Sequence, residues 1–174
     1  MDIIEAMLAR RSVRTYTDEP VTDEELNKIL TAALSSPTGK GTYPWEIIAV
    51  RDKDMLEKLS HSRQGSGKML LGAGACIVVV VDENKTDTWV EDGSIVLTNM
   101  HLAASAIGLG SCWIQGKGRF AEDGTSMEET IQKLLGIPEN YRLVAILSVG
   151  HPAAVPAPHT MADLHTEKLH YEKF

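Results

Sequence analysis

The sequence predicts an α/β or α+β domain built on a central sheet. Three observations lead there. Cys76–Val81 carries four successive valines, the pattern of a strand covered on both faces. Segments with apolar residues at helical spacing lie before, between and after such runs. No repeat or low-complexity tract interrupts the alternation, so helices and strands share one core. The 174 residues fit a single domain, 1–174. A chain of that length buries roughly 70% of its unfolded surface and needs no disulfide or metal to fold.

Taken in order, Asp2–Arg10 reads as a first helix, with Ile3 and Met7 on one face and Asp2 as its N-cap. Thr22 followed three residues later by Glu25 is a capping box. It opens a helix to Leu34 that turns Leu26, Ile29, Leu30 and Ala33 inward. Ser35–Pro44 is a loop of small and turn-forming residues. Trp45–Arg51 is a strand and Asp54–Leu59 a helix. His61–Gly67, polar and glycine-rich, is expected to be mobile or ordered by a ligand. After the valine strand comes Glu91–Ile107, apolar nearly all round and therefore a buried helix. Gly108-Leu109-Gly110 ends it, and Ser111–Ile114 is a strand. Met127–Leu135 is a helix stopped by Gly136 and Pro138, and Tyr141–Val149 a buried strand. Gly150–Phe174 reads as an irregular tail with four histidines.

Composition narrows the function. Lys+Arg of 17 against Asp+Glu of 24 gives a net charge of −7, which disfavours a general binder of nucleic acid or anionic membranes. Cys76 and Cys112 form no C-x-x-C pair and sit in apolar runs, as buried small hydrophobes do; a reducing cytoplasm fits them. Met1–Ala9 lacks the basic and apolar regions of a targeting segment, and no run reaches the ~20 residues of a membrane span. His151, His159, His165 and His170 have no metal-ligand spacing, so a metal-binding tail is a remote alternative. Neither a nucleophile elbow nor a P-loop is present.

Three segments could carry chemistry. Arg10-Arg11-Ser12-Val13-Arg14 concentrates guanidinium groups and a hydroxyl, the donors that suit phosphate oxygens. A solvated cationic patch favoured by the helix dipole is the plainer reading. Ser36-Pro37-Thr38-Gly39-Lys40-Gly41 offers amides that could approach a planar ligand, or is an ordinary connection. Gly108–Gly116 has glycines flanking a short strand, without the G-x-G-x-x-G of a dinucleotide site.

In order, these segments resemble the nitroreductase-like family of flavin mononucleotide (FMN) enzymes, in its compact branch. The motifs are R-R-S-V-R at Arg10–Arg14, S-P-T-G-K-G-T-Y-P-W at Ser36–Trp45 and K-M-L at Lys68–Leu70. G-L-G-S-C-W-I-Q-G at Gly108–Gly116, L-G-I-P at Leu135–Pro138 and V-G-H-P at Val149–Pro152 complete the set. The resemblance implies an α+β fold, with a mixed sheet flanked by helices. It also implies an intertwined homodimer, with two FMN sites at its interface and the 150–174 extension packing on the partner subunit.

The resemblance assigns roles as well. Arg10 and Ser12, with Arg11, meet the phosphate, and Arg14 lies near the N1–O2 edge of the flavin. Pro37, Thr38 and Gly39 line the ring from the partner subunit, and Lys68 reaches the O2 side. Gln115 and Gly116 match the segment whose amide donates to N5. No side-chain acid or base is required, because the cofactor carries the redox chemistry. The implied activity is ping-pong transfer of hydride from NADH or NADPH, through flavin N5, to a nitroaromatic, quinone or similar acceptor. A flavin-binding or storage module is the alternative. Two departures from the family pattern stand out. Gly41 and Tyr43 replace the usual Asn and Gln. The tail has Pro156-Ala157-Pro158-His159 where a Lys or Arg usually meets the phosphate, leaving His159 or Lys168 as the substitute.

Overall fold

The computed structural model describes residues 2–174; Met1, the first residue of the amino-terminal stretch discussed above, lies outside the described residues. Among the described residues, five α-helices and four strands follow one another: α1 (Ile3–Ala9), α2 (Asp23–Leu34), β1 (Trp45–Val50), α3 (Lys53–Ser60), β2 (Ala75–Asp82), α4 (Trp89–Ala106), β3 (Gly110–Gln115), α5 (Met127–Leu135) and β4 (Tyr141–Gly150). The α2 start is the expected box: Thr22 Oγ1 accepts from the Glu25 amide at 3.2 Å, and the Glu25 carboxylate accepts from the Thr22 amide at 2.8 Å. Gly136, at φ 67°, caps α5 in the left-handed region where glycine carries no Cβ penalty.

The sheet order is β1-β2-β4-β3. All three pairings are antiparallel, so the sheet is not mixed as expected. The parallel element is confined to an isolated bridge, Ser12 with Ser111, made by the segment after α1 rather than by a strand. The α+β class stands.

The buried run of β2 is divided by the pleat. Ile77, Val79 and Val81 pack with α2 and with Val96, Leu97 and Met100 of α4. Cys76, Val78 and Val80 pack with Leu56 and Leu59 of α3 and Met127 and Ile131 of α5. Burying a large aliphatic side chain contributes about 1.5–3 kcal/mol, so these two layers supply the main stabilisation. Helix α4 lies so close to the sheet that a Cβ on Gly93 would sit 2.5 Å from Val144 Cγ2. Val79 pairs with Ala145 but Val80 with Leu143, so Val144 is an extra residue bulging from β4. The tail beyond Gly150 is irregular as expected, with 3-10 turns at Met161–Asp163 and Thr166–Lys168. No helix of the described residues is long and apolar enough to cross a membrane.

Candidate functional site

The arginine segment leaves α1 and runs beside β3. The Val13 amide donates to the Ser111 carbonyl at 2.9 Å, which fixes its register. Arg14, Ser12, Arg10 and, from the loop after α3, Arg63 lie near enough to the Cys112 thiol to offset part of the rise that burial imposes on its pKa. Arg119 in turn lies beside Arg63, whose guanidinium is pushed below its usual value by burial first and then by that neighbour. Lys68 and Arg14 line one open cavity of about 490 Å³ with Gly65, Ser66 and Met69. Lys68, Gly65 and Arg63 also line an adjoining cavity of about 410 Å³, together with the carboxylates Glu122 and Asp123.

Salt bridges elsewhere engage Lys28, Lys40, Arg51, Lys85 and Arg142. Among the described residues, none of Arg10, Arg11, Arg14, Arg63, Lys68 or Arg119 makes one. Guanidinium groups that no carboxylate pairs repel one another, so Arg10 and Arg14 beside Ser12 suit an anion. A net charge of −7 makes such a local cluster of guanidinium groups unexpected on composition alone.

Two polar residues on the buried face of α4 hold the surroundings. His101 Nε2 lies 3.0 Å from Arg10 Nη1, and His101 Nδ1 lies 2.5 Å from Ser111 Oγ. Burial first, and Arg10 second, push the His101 pKa down to about 4, so the imidazole is neutral at physiological pH. Further along the helix, Asp92 Oδ1 accepts from the Gly39 amide at 2.8 Å. Its Oδ2 accepts from the Thr86 and Thr88 hydroxyls, each at 3.1 Å. Gly39 is required at this close approach, since a Cβ there would lie 2.8 Å from Thr88 Oγ1. Lys40 and Tyr43 adopt φ of 56° and 45°, so the loop beyond Gly39 is strained by about 1–2 kcal/mol at each.

The sequence-predicted residues divide into those brought together and those not. Arg10, Ser12, Arg14 and Lys68 fall around the same region. Pro37, Thr38 and Gly39 lie at the opposite end of α4 from Arg10. Asp92 and His101 are nine positions apart, about 13 Å along a helix. Arg11 is turned to the tail, where Nη1 donates to the Ala157 carbonyl. His159 runs beside α1, its amide donating to the Leu8 carbonyl at 2.9 Å. Its side chain and Arg11 lie near Asp163, whose carboxyl is held below the usual range first by the Thr160 amide and hydroxyl. Lys168 is exposed in the last 3-10 turn, and no hydrogen bond among the described residues joins it to the arginine segment.

The Gly116 amide donates to the Val144 carbonyl at 3.1 Å, as the Lys117 amide does at 3.2 Å, so the bulge at Val144 offers one carbonyl to two successive amides. The Gln115 side chain accepts from Trp113 Nε1 at 2.9 Å, and its carbonyl accepts from Arg63 at 3.0 Å. Sequence reasoning missed His101, Asp92, Arg63 and Arg119. The one available signal was a lone histidine inside an otherwise apolar helix. Among the described residues, no group of three or more His, Cys, Asp or Glu comes together to hold a metal ion.

A family model described as "Nitroreductase family" matches residues 7–66 and 59–151. An Archaeoglobus fulgidus protein named "Putative NADH dehydrogenase/NAD(P)H nitroreductase" is 37% identical over 155 residues, 87% of this chain and 86% of its own. A protein of the same name from Methanothermobacter thermautotrophicus is 36% identical over 178 residues, covering 100% of this chain and 88% of its own. The solved structure of an FMN-dependent nitroreductase from Clostridium difficile R20291 superposes with a TM-score of 0.95. It shares 39% identity and covers 98% of this chain and 99% of that one. The order of the segments, the fold and the matched span together place this chain in the nitroreductase family.

Proposed function

We propose that the protein is an FMN-dependent NAD(P)H oxidoreductase that works as a homodimer. The observation that carries this reading is the group of salt-bridge-free cations around Cys112 and Lys68, in an acidic chain of this family. Arg10 and Ser12 hold the FMN phosphate, and Arg14 and Lys68 face the pyrimidine edge. When bound, FMN supplies the redox chemistry: hydride in from NADH or NADPH, and electrons out to a nitroaromatic, quinone or similar acceptor, in alternation at one face. The chain contributes charge, orientation and exclusion of water, and no side-chain acid or base is assigned.

Pro37, Thr38 and Gly39 sit too far along α4 to share a ligand closely with Arg10 of the same chain. A partner subunit supplies that loop. Exposed Ile3, Ile4 and Met7 on α1, and Leu169, Tyr171 and Phe174 on the tail, give apolar surface for such a partner to cover. Arg11, His159 and Lys168 reach the phosphate only by turning from their present contacts, and they are secondary in this reading.

An absorbance spectrum of the purified protein, before and after anaerobic NADH and NADPH, tests the proposal. A flavin band that bleaches with either donor and returns with a quinone is the expected result. A colourless protein that takes up no added FMN overturns it. A stable band that neither donor bleaches leaves only the storage module.

A further inference from the structure

We propose that His101 is the positioning residue of the anion site: it fixes the Arg10 guanidinium, and through it sets the preference for a phosphorylated ligand. The inference rests on the reading of Arg10 as a phosphate ligand. Arginine has donors only, so the 3.0 Å contact with His101 Nε2 requires that nitrogen to accept. Nδ1 then carries the proton and donates to Ser111 Oγ at 2.5 Å. Ser111 is itself held: it lies in β3, and its carbonyl accepts from the Val13 amide at 2.9 Å. Side-chain relay and backbone bridge therefore end on one residue and fix both ends of Arg10–Val13.

A neutral imidazole suits this task better than a carboxylate would. A carboxylate would hold Arg10 but cancel the charge that an anion needs, whereas imidazole orients the guanidinium and leaves its charge whole. One of five N–H groups is used and the rest remain for oxyanion contact. An arginine already ordered loses less rotamer freedom on binding, an advantage on the order of tenfold in affinity.

The test is the ratio of FMN to riboflavin affinity, by quenching of flavin fluorescence, in wild type, His101→Leu and His101→Gln. Riboflavin lacks only the phosphate. The ratio should fall roughly tenfold in H101L, with riboflavin affinity unchanged, since the guanidinium loses its orientation. In H101Q the amide oxygen can accept from Arg10 in place of Nε2, and the ratio should stay within about twofold of wild type. An unchanged ratio in H101L overturns the inference, as does an equal fall in H101Q. If H101L does not fold, H101Q and Ser111→Ala decide: the first should keep the ratio and the second lower it, and any other result overturns the inference. Failure of the underlying reading looks different. Wild type would then bind FMN no better than riboflavin, or Arg10→Ala would leave the ratio intact, and the inference would fall with it.

Discussion

Replacing Asp92 should release the loop that carries Pro37, Thr38 and Gly39. The carboxylate is 2% exposed and accepts three hydrogen bonds. In Asp92→Ala the two threonine hydroxyls still have each other, at 2.8 Å, so their loss is partial. The Gly39 amide loses the acceptor it has, Asp92 Oδ1. Losing a hydrogen bond to a charged group costs about 1.5–3 kcal/mol, and the small void adds to it, so about 3 kcal/mol is expected. Asp92→Asn keeps an oxygen for Gly39 and offers an amide to hydroxyls that can turn to accept, for a cost of about 1 kcal/mol. Urea unfolding followed by circular dichroism gives the stabilities. Hydrogen exchange across residues 36–44 gives the local effect, with a rise of about 30-fold at Gly39 in D92A for a loss of about 2 kcal/mol. A D92A protein within about 1 kcal/mol of wild type, with the Gly39 amide still protected, would refute the tether.

Other outcomes follow from the same geometry. Arg10→Ala should weaken FMN binding by about 1.5–3 kcal/mol, the scale of a charge-assisted hydrogen bond, in a fluorescence titration; unchanged affinity removes Arg10 from the phosphate. Arg14→Ala should make bound flavin harder to reduce, by tens of millivolts when about 30 mV corresponds to about 1.4 kcal/mol, as read from the midpoint potential. A midpoint that stays put excludes Arg14 from the ring edge. Gly93→Ala gains about 1 kcal/mol of helix propensity, but its Cβ meets Val144 Cγ2 at 2.5 Å. Overpacking costs about 1–3 kcal/mol, so the urea midpoint should drop, and a rise would contradict the packing. Burial first, and the Arg10 cation second, push the His101 pKa down from 6.5 to about 4 in the folded protein. The unfolded chain takes up its proton first, so this contribution, on the order of 3 kcal/mol, is complete above about pH 6.5 and lost as pH falls toward 4. H101Q should lack that part of the acid sensitivity, and a difference between the two proteins that does not change with pH would count against a buried neutral imidazole.

Much of the fold was legible because its signals are local. The valines of β2, the Thr22–Glu25 box and the Gly136 stop each act within a few residues, and each element formed where expected. The 3-10 helix at Ser66–Gly72 was not legible. It depends on Gly67 lying where a Cβ would come within 3 Å of the Ser60 carbonyl oxygen, a contact with no periodicity to announce it. The bulge at Val144 was hidden too, since a strand buried on both faces has no alternation to break. The arginines at 10 and 14 declared themselves by density in an acidic chain. Arg63 and Arg119 joined them only through the fold, and His101 and Asp92 serve the site from a helix that sequence reading assigned to the core alone.

Because α4 fills the interior and also holds Arg10 and the Gly39 loop, a ligand bound at the proposed site would stabilise the folded chain. A molecule that binds the folded form and not the unfolded one lowers the unfolded population in proportion to its free concentration. FMN bound as proposed would then raise the unfolding midpoint as its free concentration rises.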